Sequence, residues 1–375
     1  MSQATSGAPR IAVDARALVD APAGVGYYTR SLLLHLAQRK ALSLTALSHR
    51  PARQVEDLAE AGVEFKTASA PLGYWWQQRI LPRQLARGKF DLLWSPLGSL
   101  PQRSPIPSVV TVHDLTPLLF PYWHSWRNRV TFRRQLPATL RAATHIVAVS
   151  RATAADLAKR FPMTEGRTSV VYNGVDSRFA PASQATIEAV RRAYDAPNGY
   201  VLSIGTLEPR KNLTRLLDAW DRVVDQVPDS PPLLIAGAKG WGSGSLQRRM
   251  HRAERVRYLG RLARPQLTEV LQGALVFAYP SLYEGFGLPV AEAMACGVPV
   301  ITSDSSSLPE VIGDAGIQVN PRHTGQLTGA LARLVNDGDL RTELAELGRQ
   351  RVVKFSWASA AEQLESVLID ASGRS

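Results

Sequence analysis

A chain of 375 residues, at roughly 150 per domain, carries two domains, each long enough to bury its own core. Its 45% hydrophobic and 20% charged content excludes a disordered or fibrous chain, and its single cysteine, Cys296, excludes an internal disulfide. The formal net charge of +12 raises the question of an anionic partner.

No apolar run reaches the ~18 residues of a membrane-spanning helix. The opening MSQATSGAPR lacks the apolar stretch of an export signal and reads as a frayed start. Cys296, inside AEAMACGVPV, reads as a small buried hydrophobe. A soluble, cytoplasmic protein is expected.

In chain order, β-rich runs occur at RIAVDARAL, LSLTALSH, VEFKTA, FDLLWSP, PSVVTVHDL, THIVAVS and TSVVYNG. They resume at GYVLSIGTL, PPLLIAGAK, RVRYLGRL, ALVFAYPS, VPVITSD and AGIQVN. Most are continuously apolar, as strands buried on both faces of a parallel sheet must be. Helices fill the intervals. Leu213, Leu216, Leu217, Trp220, Val223, Val224 and Val227 form one apolar stripe at helical spacing. Strand–helix alternation in both halves predicts two α/β doubly wound, Rossmann-like domains facing across a cleft. The polar segment NGVDSRFAPASQAT, residues 173–186, marks the boundary. The expected domains are 1–180 and 181–355, with 356–375 a closing helix returning to the first.

Open α/β sheets bind ligands beyond the carboxyl ends of their strands, so residues just after strands deserve scrutiny. Gly24 and Gly26 open a helix after the first strand; so short a G-x-G also fits a simple turn. His113 and Asp114 end a buried strand in SVVTVHDL, where a histidine is either structural or at a ligand. SIGTLEPRKNLTRLL is strand, glycine turn, then helix. Arg210 and Lys211 stand in its turn, as a solvated pair or as cations for a diphosphate.

The segment PSLYEGFGLPVAEAMACGVPVI holds two charged side chains, Glu284 and Glu292. A helix beginning near Pro289 and ending at Cys296, before Gly297, presents amides of Gly287 and Leu288 at its N-terminus, an anion site. Glu284 falls on the preceding loop and Glu292 in the first helical turn. Carboxylates there can accept bonds from vicinal hydroxyls; equally, Glu292 can complement the helix dipole and Glu284 be solvated. The Asp337–Gly338–Asp339 triplet reads as a turn with Asp339 capping a helix, not as a metal motif.

These residues carry a resemblance. EGFGLPVAE is similar to the E-x7-E signature of the retaining GT4 family of GT-B glycosyltransferases. GTLEPRKN resembles its Arg/Lys phosphate segment, VVYNGVD its inter-domain segment and FSWASAAEQL its closing helix. Nearly the whole chain is covered. The resemblance implies that Arg210 and Lys211 stabilise a departing nucleoside diphosphate, that Glu292 holds ribose hydroxyls and that Glu284 contacts the donor sugar. By the same resemblance Gly287 and Leu288 offer main-chain amides, Gly24 and Gly26 approach the phosphates, and His113 lies beside the anomeric carbon. Many members carry Arg where this chain has Thr206, which leaves Arg210 and Lys211 more of the charge. With fixed cations and helix-end amides facing the leaving group, no cofactor and no metal are expected.

VHDLTPLLFP and GTLEPRKN look most like bacterial mannosyl- and rhamnosyltransferases of surface polysaccharide assembly, lipopolysaccharide included. GDP-mannose is therefore the favoured donor, and a saccharide or lipid-linked saccharide the acceptor. Three other classes fit less well. A nucleotide-sugar 2-epimerase shares the architecture but fits the motif spacing less well. A nicotinamide dehydrogenase would need a third glycine in AGVGYYT, and a nucleic-acid binder would need a recognisable module.

Residues 1–180 hold 23 Lys and Arg against 11 Asp and Glu, and residues 181–375 hold 21 of each, so the first half carries the whole +12. Acid-free stretches place Trp75, Trp76, Trp123 and Trp126 beside Arg79, Arg83, Arg127, Arg129, Arg133 and Arg134. Aromatics interleaved with cations suit an anionic bilayer surface, where each cation contributes about 1 kcal/mol; a solvated basic face is the alternative. Peripheral attachment to the inner face of the cytoplasmic membrane is expected.

Overall fold

The computed structural model describes residues 7–20, 24–240 and 243–373; residues 1–6, expected to be frayed, lie outside the described residues. Each of the apolar runs contains a strand. The first unit holds β1 (Arg10–Asp14), β2 (Ser43–Ser48), β3 (Glu64–Thr67), β4 (Leu92–Ser95), β5 (Ser108–Val112), β6 (His145–Ala148) and β7 (Thr168–Val170). They pair in the order β3-β2-β1-β4-β5-β6-β7, every pair parallel.

The second unit holds β8 (Val201–Ile204), β9 (Leu233–Ala236), β10 (Val256–Gly260), β11 (Val276–Tyr279), β12 (Val300–Ser303) and β13 (Ile317–Val319). Their order is β10-β9-β8-β11-β12-β13, again all parallel. Burial follows position in the sheet. Every residue of β4, β5, β9, β11 and β12 is buried, whereas edge strands β3 and β10 have no buried residue. A parallel strand covered by helices on both faces has no side facing water, which is why these runs are apolar without alternation.

The helix Leu213–Gln226 buries Leu213, Leu216, Leu217, Trp220 and Val223 in a core shared with Val201 of β8, Leu233 and Ile235 of β9 and the helix Thr324–Asn336. Each such side chain contributes roughly 1.5–3 kcal/mol of transfer free energy. Its start is set by Asn212, in the left-handed region at φ 57°, whose Nδ2 donates to the carbonyls of Pro280 (3.0 Å) and Pro321 (2.7 Å). Farther on, Asp337 rather than Asp339 caps the helix Gly338–Val352, accepting from Leu340 N–H at 2.9 Å. Asp339 already lies inside the first turn, because the helix starts at Gly338.

The chain divides into 1–174 with 357–375, and 175–356. The division falls at 174/175, six residues before the expected 180, for a local reason. Val175 N–H donates to Phe355 O at 2.8 Å, and Val175 pairs with Ser356 as a parallel bridge, so the second unit begins and ends on one ladder. Gly174 is required beside it: a Cβ there would stand 2.2 Å from Trp357 N. The closing helix Trp357–Ser372 packs in the first unit on the helix Val25–Arg39. Trp357 meets Tyr28 edge-on at 6.0 Å, and Arg39 pairs with Glu365 at 2.9 Å.

Candidate active site

In the second sheet, β8 and β11 are neighbours at the point where strand order reverses, and side chains at their carboxyl ends converge there. The turn after β8 carries Arg210 and Lys211 in a short 3₁₀ turn, Pro209–Lys211. The turn after β11 carries Glu284. One backbone bond clamps the two turns together, Leu282 N–H to Arg210 O at 2.8 Å.

Glu284 is buried and held from all sides. Lys211 Nζ donates to its Oε1 at 2.7 Å, and Arg210 Nη1 pairs with its Oε2. Its N–H reaches Ser306 Oγ at 2.9 Å, while Ser307 Oγ donates to its carbonyl at 3.0 Å. Burial alone would raise this carboxyl, but Lys211 and then Arg210 outweigh it and hold it down at about 2. Arg210 also forks onto Glu208, with Nη2–Oε1 at 2.6 Å, and donates to Tyr283 O at 3.2 Å. Lys211 Nζ bonds the Tyr279 hydroxyl and stands 4.7 Å from that ring's centroid. Burial pulls the Lys211 ammonium below the usual lysine range, against the opposing pull of Glu284. Two cations, Arg210 and Lys211, thus share a largely buried site with two carboxylates, Glu284 and Glu208, and an anionic group entering it would compete with those carboxylates for the cations.

Gly287 caps the helix Leu288–Ala295 at φ 103°, and a Cβ there would lie 2.7 Å from Leu308 Cδ2. Only glycine fits both the backbone and the space. The helix starts one residue before Pro289 and ends one before Cys296, with Gly297 in the left-handed region behind it. Glu292 consequently sits in the second turn, not the first. It is buried and paired with Arg264, Nη2 to Oε1 at 2.7 Å. Burial raises its carboxyl to about 7 even though Arg264 pulls the other way.

The two acids of the signature therefore have different partners: Glu284 joins Arg210 and Lys211, and Glu292 joins Arg264. Thr206 is exposed at the β8 turn, its carbonyl accepting from Glu208 N–H at 2.7 Å. Cys296 is buried and its thiol is pushed up to about 12.

In the first unit, Gly24 (φ 27°) caps the helix Val25–Arg39, and Gly26 is buried in its first turn. His113 follows β5, and its Nε2 lies 2.7 Å from Pro96 O. A carbonyl only accepts, so Nε2 carries the proton. Burial lowers the ring's pKa, leaving a neutral imidazole with its lone pair on Nδ1. The Tyr28 ring meets it edge-on at 4.8 Å and fixes its plane.

The expected aromatic–basic surface is present in part. Trp75 is 48% and Trp126 67% exposed, with Tyr74, Tyr122, Arg79, Arg83, Arg127, Arg133 and Arg134 also exposed. Arg129 is half-buried, and Trp123 is half-buried by stacking on Phe120 at 4.1 Å. Trp76 does not belong to that surface. The π-helical segment Trp76–Ile80 turns it and Gln77 inward, where Trp76 joins the core and Gln77 bonds Ser99.

Sequence reasoning passed over Tyr279, Ser306, Ser307, Arg264 and Asp176. Ser306 and Ser307 follow β12, and only the β11–β12 pairing brings them to Glu284.

Comparison with known proteins decides the family. Residues 187–351 match the family described as glycosyl transferases group 1, and residues 22–179 the one described as glycosyltransferase family 4. O-antigen chain mannosyltransferase B of Escherichia coli is 34% identical over 261 residues, 68% of this chain and 68% of that protein. This chain belongs to the GT4-type glycosyltransferases.

The transferase is also 32% identical over 225 residues to D-inositol 3-phosphate glycosyltransferase of Corynebacterium jeikeium, covering 56% of this chain and 54% of that one. Solved structures show the GT-B fold. Anabaena Alr3699/HepE aligns at a TM-score of 0.74 and 20% identity over 97% of this chain and 100% of that chain. Thermosynechococcus elongatus sucrose-phosphate synthase aligns at 0.76 and 21% over 98% and 100%. The dehydrogenase, nucleic-acid and epimerase readings give way to glycosyl transfer.

Proposed function

We propose that the enzyme transfers a hexose, with mannose favoured, from a nucleoside diphosphate sugar to a saccharide or lipid-linked saccharide, retaining the anomeric configuration. One observation carries the site assignment: Arg210, Lys211 and Glu284 meet at the carboxyl ends of β8 and β11. Breaking the anomeric C1–O bond leaves negative charge on the diphosphate and positive charge at C1. Arg210, Lys211 and the amides before Leu288–Ala295 answer the first. Glu284, ionised at any working pH, contacts the sugar that carries the second. The acceptor oxygen bonds to C1 as the bond from C1 to the diphosphate oxygen breaks, the acceptor's proton passes to the departing diphosphate, and the nucleoside diphosphate leaves. Glu292 takes the ribose hydroxyls. Gly24, Gly26 and neutral His113 are assigned to the phosphates and the anomeric centre by the family resemblance alone, and Arg210 and Lys211 supply fixed positive charge for the leaving diphosphate.

GDP-mannose is favoured because the E. coli relative is named an O-antigen mannosyltransferase. Another relative, 29% identical over 268 residues, is the serotype-specific mannosyltransferase WbdA of E. coli, of which this chain spans 32%. Thermal shift with GDP, UDP, ADP and dTDP tests the base: GDP should stabilise most, and stabilisation by UDP alone overturns the assignment. Transfer should persist in EDTA, and its loss there would show that a metal is needed. The exposed Trp75, Trp126 and surrounding arginines support docking of the first unit on an anionic membrane, where a lipid-linked acceptor would be met. No helix among the described residues is long and apolar enough to cross a bilayer.

A further inference from the structure

One cation at the site stands outside every motif. Arg264 opens the helix Arg264–Gln272, between β10 and β11. Its Nη2 is 2.7 Å from Glu292 Oε1, and its guanidinium carbon lies 4.6 Å from the centroid of the Phe179 ring. The aromatic face and the carboxylate together fix the plane of the fork. The other titratable group acting on Glu292 is Asp176, itself paired with Arg178 at 2.9 Å; the Cys296 thiol one turn along is raised by burial and by Glu292 and stays neutral. Arg264 is thus the cation that opposes both burial and Asp176 at this carboxyl. A buried carboxyl without such a partner takes up a proton, and a protonated acid is a poorer acceptor for hydroxyl groups.

We infer that Arg264 is a positioning residue for the donor: its ion pair with Glu292 favours the charged form of that carboxylate and holds it where the ribose hydroxyls arrive. The inference rests on the assignment of Glu292 to the ribose. Arg264 itself touches neither sugar nor phosphate in this account. A purely structural pair would affect folding, or weaken nucleotide binding equally at every pH.

Calorimetric titration of the full-length chain with GDP, and with UDP and ADP alongside, distinguishes the two between pH 6 and 9. Melting curves check the fold of Arg264→Gln, Arg264→Met, Arg264→Lys and Glu292→Gln; the Met variant keeps the apolar stem if the Gln variant does not fold. Arg264→Gln and Arg264→Met should weaken binding about tenfold at pH 6 and about fivefold at pH 7, the loss expected when a required carboxylate that titrates at about 7 moves about one pH unit higher. The loss should shrink towards pH 9, where Glu292 ionises unaided. Arg264→Lys, which restores the charge, should stay within about threefold of the parent, since Lys keeps the point charge but not the fork. Unaltered binding in the neutral variants, a loss constant with pH, or a lysine variant no better than glutamine overturns the inference. Glu292→Gln separates the two levels of the argument. If it binds every nucleotide as the parent does, the ribose assignment itself is wrong; if it alone weakens binding, only the role of Arg264 falls.

Discussion

The two glutamates of one signature titrate in opposite directions, and the difference is local. Glu284 is held near 2 by Lys211 and Arg210, below its ordinary 4.5. Its unfolded form takes up a proton first as pH falls, so its contribution to stability is complete above 4.5 and is lost between 4.5 and about 2. Glu292 is raised to about 7, so the folded state keeps its proton while the unfolded chain releases it. Its contribution therefore declines as pH rises from 4.5 to 7. Urea unfolding across pH 2–8 should show Glu284→Gln removing the acid-side slope and Glu292→Gln steepening the rise between pH 4.5 and 7. The same slopes in both variants would contradict these environments. Glu284→Ala, Arg210→Ala and Lys211→Ala should each lower kcat/KM by at least about tenfold, from the loss of a charge-assisted contact of roughly 1.5–3 kcal/mol. Initial rates with the true donor check this. Glu284→Ala should also melt at lower temperature, because it leaves Lys211 buried without its carboxylate.

At the scale of elements, the strands were legible because a parallel strand covered on both faces must be apolar throughout, a pattern that survives in sequence as in VFAY of β11. Arg210, Lys211 and Glu284 were legible as turn residues after strands, since the charges interrupt apolar runs. What depends on strand order was not. Ser306 reaches Glu284 across β11–β12, and Arg264 reaches Glu292 from a different helix. Nor did composition distinguish Trp75 from Trp76, because a π turn sets which ring faces the core. Helix ends erred by one or two residues, enough to place Glu292 a turn too early and the cap at Asp339. Asp337→Ala should lower stability by about 1 kcal/mol, the usual worth of an N-cap side chain, and Asp339→Ala by less than half of that. Denaturant midpoints with unchanged slope check it. Gly287→Ala should cost more than either, meeting Leu308 at 2.7 Å in a left-handed backbone.

At the scale of the whole molecule, charge and chemistry reside in different units. Arg210, Lys211, Glu284 and Glu292, the residues assigned to the donor, lie in residues 175–356, whereas the first unit, residues 1–174 with 357–375, carries +10 of the net +12. Liposome co-sedimentation should show binding that requires anionic lipid and weakens with salt. Replacing Arg127, Arg129, Arg133 and Arg134 by Ser should abolish it; replacing Trp76 would only disturb the core. Equal pelleting with neutral and anionic vesicles, or none with either, would leave a soluble acceptor as the better reading.

The central claim, that Arg210, Lys211 and Glu284 form the diphosphate and sugar site of a hexosyltransferase, is tested most directly by incubating the protein with radiolabelled nucleotide sugars. GDP-mannose should lose its sugar slowly to water without acceptor and rapidly to a saccharide acceptor, with the α-linkage kept, and Lys211→Ala should lose at least about tenfold in both reactions. Undiminished turnover in Lys211→Ala and Glu284→Ala would place the chemistry elsewhere, and interconversion of the donor sugar without transfer would contradict the account.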